Sequence, residues 1–319
     1  MLLSAGSIQA DENALRQQAQ ARFGVLPAQM PGAQNDTPEL VELGRQLYFD
    51  KALSINHSQS CNTCHRLDGG RGGDDNNKTS PGAKGILGAR NAPTVLNAGF
   101  AFAQFWDGRA ADLVEQAKGP ILNPVEMAMP SAAAVEQRIS AMPDYQEAFA
   151  KAFGSDAAIS FDHIAQAIAA FERTLITHDR FDQWQRGDDS ALSAQEQRGL
   201  QAFISSGCVD CHNGPLLGGQ KYKKMGLINP YANTKDKGRM AVTGDPEDAY
   251  FFKVPTLRNV ALTAPYFHDG EAASLQEAVK KMGWLQLGRK LNESQVADIV
   301  AFLNSLSMEN PGKFQAISE

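Results

Sequence analysis

Two short motifs of cysteine and histidine are the most specific chemical signal in this sequence. Each contains two cysteines that are separated by two residues and followed directly by a histidine. In this pattern the thiols bond covalently to a haem, and the adjacent histidine binds its iron. The motifs therefore predict two covalently attached haem c groups. Their residues are Cys61, Cys64 and His65 in the first motif, and Cys208, Cys211 and His212 in the second.

Two other uses of such cysteines are possible. A zinc site built from both cysteine pairs would leave the two histidines unexplained. A thioredoxin-like redox pair requires a βαβ context, which this sequence does not contain. Four cysteines in 319 residues are too few for a disulfide scaffold, so haem attachment is the favoured interpretation.

Composition limits the class of protein. The chain is 43% hydrophobic and 21% charged, which is typical of a globular protein and excludes disordered, collagen-like and coiled-coil chains. Its net charge of −6 gives no sign of nucleic-acid binding, and no apolar run approaches the roughly 20 residues of a membrane helix. Residues 1–10 are mildly apolar and are interpreted as a shortened leader, an expression remnant or a flexible terminus.

The sequence contains an internal repeat. Residues 92–97 (APTVLN) resemble 254–259 (VPTLRN), and residues 105–111 (FWDGRAA) resemble 267–273 (FHDGEAA), each pair at an offset of 162 residues. The cysteine pairs are only 147 residues apart, so the spacing between the cysteine motif and the repeated segments differs by 15 residues between the two copies. A repeat of this length predicts a duplicated module.

Helices are predicted around each motif. Thr37 begins one before the first motif, and a capping box from Ser193 to Glu196 begins one before the second. Each contains a glycine, Gly44 or Gly199, which costs about 1 kcal/mol relative to alanine and indicates close helix packing.

The predicted fold is mainly α, with two cytochrome c-like domains that arise from duplication, long loops and little β structure. We assign residues 1–30 to an N-terminal extension or leader remnant, and residues 31–180 and 181–319 to the two haem domains. A helix from 161 to about 176 closes the first domain, and the polar segment 179–190 is interpreted as the linker. The last helix, around Val296–Leu303, should cross the helix that contains Gly199.

The two copies differ in the candidate sixth ligand of the iron. Met282 is the candidate in the second copy, and the residue 162 positions earlier is Pro120, which cannot bind iron. The first haem therefore either recruits another ligand or keeps an open face. Glu126 follows in an apolar segment and is a candidate general acid/base near that face, and Gln116 is a second polar candidate.

Together these segments resemble the bacterial di-haem cytochrome c peroxidases, which are related to the MauG-type di-haem enzymes. The resemblance extends from about residue 37 to about residue 306. It depends on five segments, which are 61–65 (CNTCH), 91–97 (NAPTVLN), 104–110 (QFWDGRA), 123–127 (NPVEM) and 265–270 (PYFHDG).

The resemblance implies a role for each domain. The first haem would be the peroxidatic site, with Glu126 and Gln116 lining the peroxide pocket. The second haem, with Met282 as ligand, would accept electrons, and Trp106 would assist electron transfer between the haems. The family also binds Ca²⁺, through positions that correspond to Asn91, Thr263 and Pro265.

The resemblance also implies partners and a compartment. Hydrogen peroxide would be the substrate, and a small redox protein such as a monohaem cytochrome c or a blue copper protein would be the donor. Relatives are commonly homodimers. Covalent haem attachment in bacteria is extracytoplasmic, so we expect a periplasmic protein without a membrane span and without nucleic-acid partners.

One departure from the family concerns the first iron. Most relatives place a histidine from a first-module loop on this iron, and Ala83 occupies that position here. We expect the first haem to be open even when it is oxidised. His268 takes the place of Trp106 in the repeat and is expected to bond a haem propionate or to be a structural histidine. The alternatives are a di-haem electron carrier and a MauG-like enzyme that oxidises a protein side chain, in which a tyrosine replaces the methionine of the second haem.

Overall fold

The computed structural model describes residues 5–69 and 71–310, and this part of the chain is mainly helical, as predicted. Residues 1–4, which belong to the expected extension, lie outside the described residues. The helices are α1 (Ala5–Arg22), α2 (Pro38–Phe49), α3 (Cys61–Cys64), α4 (Leu113–Leu122), α5 (Ala132–Ser140), α6 (Pro143–Phe153), α7 (Phe161–Glu172), α8 (Arg180–Gln185), α9 (Ala194–Ser206), α10 (Met240–Thr243), α11 (Leu275–Leu287) and α12 (Glu293–Asn304).

Regular β structure in the described residues is limited to one small sheet. Strand β1 (Tyr222–Lys224) pairs in antiparallel register with β2 (Phe251–Lys253), so that Lys223 lies opposite Phe252. The prediction of little β structure is confirmed. No helix of the described residues is long and apolar enough to cross a membrane.

The chain forms two compact units. The first-motif unit contains Ala28–Thr177 and Leu262–Ser274. The second-motif unit contains residues 5–27, His178–Ala261 and Leu275–Glu309. The units differ from the predicted ranges at several places. Residues 5–27 and 178–180 group with the second motif, whereas residues 28–30, Leu262–Ser274 and Asn310 group with the first.

A close helix crossing forms the core of each unit. In the first-motif unit α2 packs on α7, and a Cβ atom at Gly44 would lie 1.8 Å from the Ala167 carbonyl oxygen. In the second-motif unit α9 packs on α12, and a Cβ atom at Gly199 would lie 1.9 Å from the Asp298 carbonyl oxygen. Both glycines therefore allow backbone contact, as predicted, and α12 is the last helix that was expected to cross α9.

The repeat is also visible in the backbone conformation. Asn97 and Asn259 both have left-handed φ angles, 61° and 62°. Each asparagine N–H donates to a carbonyl further along the chain, that of Leu175 for Asn97 (2.9 Å) and that of Leu306 for Asn259 (2.8 Å). Equal conformations at an offset of 162 residues support the duplication.

Helix α7 is shorter than predicted. It ends at Glu172, whereas the amphipathic pattern continues to about residue 176. The chain beyond it bonds to Asn97 instead, because the Leu175 carbonyl accepts from the Asn97 N–H and the Thr177 N–H donates to the Asn97 side-chain oxygen.

The interpretation of 179–190 as a linker is wrong. This segment contains α8, and the side chains of Asp179 and Asp182 are fully buried. The guanidinium of Arg258, also fully buried, donates to Asp179 (2.5 Å) and to Asp182 (2.8 Å). Polar composition misled the prediction because the neutralising charge comes from far along the chain.

Residues 5–27 of the expected N-terminal extension are part of the second-motif unit. Ala19 and Phe23, at and just after the end of α1, are buried. The Phe23 ring lies 5.7 Å from the ring of Phe181 in an edge-on arrangement and 6.4 Å from that of Phe203. The described part of this segment thus contributes to an aromatic core.

The buried ion pairs of Arg258 give a test of this core. Arg258→Met would leave two buried carboxylates without their cation, so we expect the free energy of unfolding to fall by about 3–5 kcal/mol. Urea denaturation of the haem-loaded protein measures this. Arg198→Met is the control, because Arg198 pairs with Asp298 near the surface and should cost less than about 1 kcal/mol. Equal losses in the two variants would contradict the structural role of Arg258.

Candidate functional site

The first cysteine motif is a single helical turn with a fixed histidine after it. Ser60 and Thr63 form a capping box around α3, and His65 follows immediately. The His65 ring Nδ1 lies 3.0 Å from the Pro93 carbonyl oxygen. When Nδ1 donates this hydrogen bond, the lone pair of the ring is on Nε2, which is the atom that binds a metal. Tyr48 on α2 donates to the His65 carbonyl oxygen (2.6 Å) and ties the motif to the helix crossing.

The second motif has the same arrangement with a different partner. The His212 Nδ1 lies 3.0 Å from the Leu217 carbonyl oxygen, and when Nδ1 donates this hydrogen bond the lone pair of the ring is again on Nε2. The ring of Phe203, on α9, lies 6.3 Å from the imidazole. Each motif thus contacts the glycine-containing helix of its own unit, α2 for the first and α9 for the second.

The electrostatics of the motifs favour haem attachment over the alternatives. Burial lowers the pKa of His65 and lowers that of His212 to about 4, so both imidazoles are neutral near pH 7, which is the form that binds iron. Burial also raises the pKa of Cys64 and of Cys208, each to about 11. A thioredoxin-like site requires a lowered thiol pKa, so these cysteines do not fit that chemistry.

The donor set in each unit fits a haem c group. Two thiols separated by one helical turn stand next to an imidazole whose Nε2 can bind iron. Among the described residues, no cluster of three or more histidine, cysteine, aspartate or glutamate side chains is arranged to hold a metal ion. The zinc alternative is therefore not supported by the described structure.

The two candidate positions for a sixth ligand are in equivalent helices. Met282 is half-buried on α11, and the end of this helix lies beside the second motif, where Arg289 donates to the Ser206 carbonyl oxygen (3.3 Å). Pro120 lies inside α4, and its carbonyl oxygen accepts from the Met127 N–H (3.1 Å). The segment after Pro120 therefore turns back on the end of α4.

Glu126 lies in this turn, in a partly polar environment. Asn123 donates to its carboxylate (2.7 Å). Burial raises the pKa of Glu126, although the Arg109 charge and the Asn123 hydrogen bond both act to lower it. The Glu126 carboxyl group also acts electrostatically on Cys64 of the first motif. A carboxyl group whose pKa is raised can exchange protons above the usual titration range of glutamate.

Ala83 lies directly beside Glu126. The Ala83 N–H donates to the Glu126 carbonyl oxygen (2.7 Å), and the Ala83 carbonyl accepts from Asn56 (2.7 Å). A Cβ atom at the preceding Gly82 would lie 2.0 Å from the Val125 carbonyl oxygen. The loop that contains Ala83 is thus packed tightly on the segment that contains Glu126.

Gln116 is half-buried on α4, one turn before Pro120. The hydrogen bonds of the described residues do not join Gln116 to Glu126. Gln116 and Glu126 both belong to the first-motif unit. Of these two side chains, only that of Glu126 accepts a side-chain hydrogen bond among the described residues, from Asn123.

Trp106 and His268 are neighbours in the first-motif unit. Their rings are 6.4 Å apart in an edge-on arrangement. The Trp106 indole donates to the Asn91 carbonyl oxygen (2.9 Å), and the Asn91 N–H donates to the His268 carbonyl oxygen (2.8 Å). Asn91 therefore connects the two residues that occupy equivalent positions in the repeat.

The three residues assigned to calcium are in the same unit. Asn91 donates from its side chain to the Asn77 carbonyl oxygen (2.9 Å). Asn76 donates to the carbonyl oxygens of Leu262 and Ala264 (2.8 and 3.0 Å) and so holds the segment that contains Thr263 and Pro265. The sequence alone did not point to Asn76, because its partners lie about 186 residues further along the chain.

Three further residues of the site were not identified individually from the sequence. Asn123 and Arg109 both belong to segments that carried the family resemblance, but neither was singled out. Asn123 lies three residues before Glu126 and Arg109 lies seventeen before it. These spacings follow no helical or strand period, because α4 and the turn after it separate Arg109 from Glu126. Tyr48 was also missed, since an aromatic residue on a buried helix face is usually read as core.

Covalent attachment at both motifs can be measured directly. The mass of the intact denatured protein is expected to equal the chain plus two haem groups. Replacing both Cys61 and Cys64 by alanine should remove one haem, and replacing both Cys208 and Cys211 should remove the other. Either double variant that keeps two covalent haems would contradict the assignment.

Comparisons with known proteins agree with this site. A family model described as di-haem cytochrome c peroxidase matches residues 38–190, and a cytochrome c model matches residues 196–307. The chain is 50% identical to the cytochrome c551 peroxidase of Nitrosomonas europaea, over 91% of this chain and 88% of that protein. It is also 50% identical to the cytochrome c551 peroxidase of Pseudomonas aeruginosa, over 98% and 91%.

More distant relatives include the methylamine utilization protein MauG of Methylorubrum extorquens, which is 36% identical over 88% of this chain and 81% of that protein. The crystal structure of a MauG-like protein associated with microbial copper homeostasis aligns with a TM-score of 0.81 and 30% identity, over 90% of this chain and 94% of that one. The cysteine motifs, the duplicated modules and these relatives together show that the chain belongs to the di-haem cytochrome c peroxidase family.

Proposed function

We propose that this chain reduces hydrogen peroxide to water at the first haem, with electrons that enter at the second. The observation that carries the proposal is the position of Glu126, held by Asn123, beside Ala83 and close to Cys64. The backbone of the residue that carries this carboxyl group is thus bonded to Ala83, whose methyl side chain cannot bind iron. The peroxidase relatives at 50% identity support the same reaction class.

The first haem would be held by Cys61, Cys64 and His65. When bound, this haem would supply the redox chemistry that the reduction of peroxide requires. The His65 imidazole, oriented by the Pro93 carbonyl, would serve as the proximal ligand. The second haem would be held by Cys208, Cys211 and His212, with Met282 as its sixth ligand.

Glu126 would move the protons of the reaction. Its carboxylate takes the proton of one peroxide oxygen and returns it to the other, so that the departing oxygen leaves as water. The complete reaction consumes one peroxide, two electrons and two protons and releases two waters. Asn123 keeps the carboxylate oriented, and the nearby Arg109 charge favours its ionised form. Gln116 would donate a hydrogen bond to the peroxide substrate, and Trp106 would assist electron transfer.

The role of Glu126 predicts a pH-dependent loss of activity. Because burial raises its pKa, the acid limb of kcat/KM should lie above the usual range of glutamate, and activity should be lost as the pH falls through it. Glu126→Gln should lower peroxide turnover by about 10²–10⁴-fold and remove that limb. Steady-state kinetics over pH measures both. Glu115→Gln, at an exposed residue of α4, is the control and should leave both unchanged. Undiminished turnover in Glu126→Gln would remove Glu126 from the mechanism.

Ala83 distinguishes this chain from relatives that require reductive activation. A methyl group cannot bind iron, and Pro120 cannot do so either, so the first iron has no side-chain ligand from these two positions. An electron carrier requires both irons to be fully ligated, which makes the carrier alternative less suitable. The MauG alternative is disfavoured by Met282 and by the lower identity to MauG.

The spin state of the oxidised protein tests this proposal. EPR spectra of the fully oxidised protein should contain a high-spin ferric signal from the first haem and a low-spin signal from the second. Ala83→His should convert the high-spin signal to low-spin and make turnover depend on prior reduction. Ala83→Ser is the control and should stay high-spin. Two low-spin haems in the unmodified protein would contradict the proposal.

A calcium ion in the first-motif unit is proposed from the resemblance. Oxygen atoms of Asn91, Thr263 and Pro265 are the donors that suit this ion. The contacts of Asn76 with Leu262 and Ala264 support the proposal, because they bring this segment to the loop that bonds Asn91.

Calcium removal tests this site. Chelation of the haem-loaded protein is expected to lower peroxide turnover, and added Ca²⁺ should restore it, while Mg²⁺ should not. Asn91→Ala should lower the calcium affinity measured by titration calorimetry. Binding of Ca²⁺ with equal affinity to Asn91→Ala would exclude Asn91 as a ligand.

The partners and compartment follow from the same function. A small redox protein, such as a monohaem cytochrome c or a blue copper protein, would donate electrons to the second haem. We place the chain in the periplasm, where c-type haem is attached, and propose that it acts as a homodimer. No membrane-crossing helix is found among the described residues.

A further inference from the structure

A buried carboxyl group that the proposed mechanism does not use lies in the first-motif unit. Glu172 is the last residue of α7 and is only 6% exposed. Within the part of the chain that the structure describes, its carboxyl group has no hydrogen bond and no ion pair. Burial of an ionisable group without such a partner costs free energy, which favours a functional role for it.

Glu172 lies close to the first haem motif. Its charge acts electrostatically on Cys61, one of the two thiols that would attach the haem, and on the Tyr48 hydroxyl. Tyr48 in turn donates to the His65 carbonyl oxygen (2.6 Å). The ring of Phe171, the residue before Glu172, lies 5.1 Å from the Tyr48 ring where α7 crosses α2. A charge on Glu172 therefore acts on the site that would hold the first haem.

The second-motif unit has an apolar residue where the first has this carboxyl group. In the first helix crossing, a Cβ atom at Gly44 would lie 2.9 Å from the Cβ of Phe171, the residue that precedes the carboxyl group. In the second, a Cβ atom at Gly199 would lie 2.9 Å from the Cβ of Phe302, which precedes the buried Leu303. The two crossings thus correspond residue for residue, but only the first contains an ionisable group at this position.

The groups around Glu172 determine its electrostatics. Burial raises the pKa of Glu172 to about 8, and the nearby Arg173 charge acts to lower it. Arg173 is itself neutralised by Asp36, whose carboxylate accepts from its guanidinium at 2.6 and 2.7 Å. Charged side chains on the other helices packed on α7 have partners of their own. These are Arg45 with Glu42 on α2, Lys118 of α4 with Glu115 and Asp162, and, on α5, Glu136 with the Phe161 N–H and Arg138 with the carbonyls of Ala52 and Ser54.

We propose that Glu172 is a redox-linked proton acceptor that lowers the reduction potential of the first haem relative to that of the second. As a carboxylate it stabilises the oxidised haem, which has one more positive charge than the reduced haem. The carboxylate takes one proton from the solvent for each electron that is added to the first haem, so the net charge of the buried site is unchanged. The proposal goes beyond the peroxide reaction and rests on attachment of the first haem at Cys61 and Cys64.

The sign and size of the effect follow from this role. As the pH rises, Glu172 ionises and favours the oxidised haem, so the reduction potential falls. A unit charge about 10 Å away in an effective dielectric constant near 20 changes a one-electron equilibrium on the order of tenfold. At a fixed applied potential, the ratio of oxidised to reduced first haem should therefore rise about tenfold from the acid to the alkaline side of the ionisation of Glu172.

Spectroelectrochemical titration of the haem-loaded protein over pH tests the proposal without peroxide. Glu126→Gln is the common background, because the pKa of Glu126 is also raised, whereas Asp74, with a pKa of about 7, stays in every protein that is compared. In this background, Glu172→Gln should lower the ratio of oxidised to reduced first haem about tenfold at alkaline pH. The second haem is the internal control and should change less than about twofold.

Matched variants separate the charge from a structural role. Glu172→Leu introduces the residue of the second unit and should have the same effect as Glu172→Gln, whereas Glu172→Asp should keep the pH dependence. Glu147→Gln, at an exposed residue of α6, is the control and should change the ratio less than about twofold. An unchanged pH dependence in Glu172→Gln and Glu172→Leu would overturn the proposal.

Redox difference infrared spectroscopy observes the carboxyl group itself. Reduction of the Glu126→Gln protein should produce a band of a protonated carboxyl group, and Glu172→Gln should remove this band. If the Glu172 variants do not fold, the absence of any such band in the Glu126→Gln protein overturns the proposal without them.

The proposal and the proposed function fail in different ways. A protein that contains both haems but does not reduce peroxide would overturn the proposed function only, because the potentials and the infrared band are measured without peroxide. Peroxide turnover together with a first-haem potential that Glu172→Gln leaves unchanged would overturn only the role of Glu172.

Discussion

Each haem motif depends on two helices that cross closely at a glycine. In the first-motif unit Gly44 brings α2 onto the Ala167 carbonyl, and in the second Gly199 brings α9 onto the Asp298 carbonyl. A side chain at either glycine would push the helices apart. The same helices contact the motifs, because Tyr48 of α2 donates to the His65 carbonyl and Phe203 of α9 faces the His212 ring. The position of each iron-binding imidazole is therefore determined by the helix crossing.

In the proposed function, the duplicated units use this common frame for different chemistry. Both fix an imidazole by a backbone carbonyl, Pro93 for His65 and Leu217 for His212, and both keep it neutral by burial. They differ at the position that is occupied by Met282 in one and by Pro120 in the other. After Pro120 the chain turns back and brings Glu126 beside Ala83. The proposed functional asymmetry thus depends on one short segment rather than on a difference of fold.

The sequence allowed those parts of the fold that local spacing defines to be predicted. The cysteine motifs, the capped helices, the two glycines and the 162-residue repeat each have a short-range signal. The buried cluster of Asp179, Asp182 and Arg258 has no short-range signal, because Arg258 is about 76 residues from Asp182 in the sequence. From its own composition, the segment that contains the two aspartates is typical of a polar linker. The predicted end of α7 is wrong for the same reason. The chain after Glu172 bonds to Asn97 instead of forming another helical turn, and Asn97 lies 80 residues before Thr177 in the sequence.

The candidate site shows the same division. Glu126 could be predicted from its apolar neighbours and its place after Pro120. Ala83 could be predicted from its position within the first-module loop. Asn76 and Tyr48 could not, because their roles depend on backbone carbonyls that are brought to them by tertiary structure. The central claim is that the first haem is open to an external ligand while both haems are oxidised. Titration of the oxidised protein with cyanide tests it most directly: one cyanide should bind per chain without prior reduction, and binding that begins only after the second haem is reduced would contradict the claim.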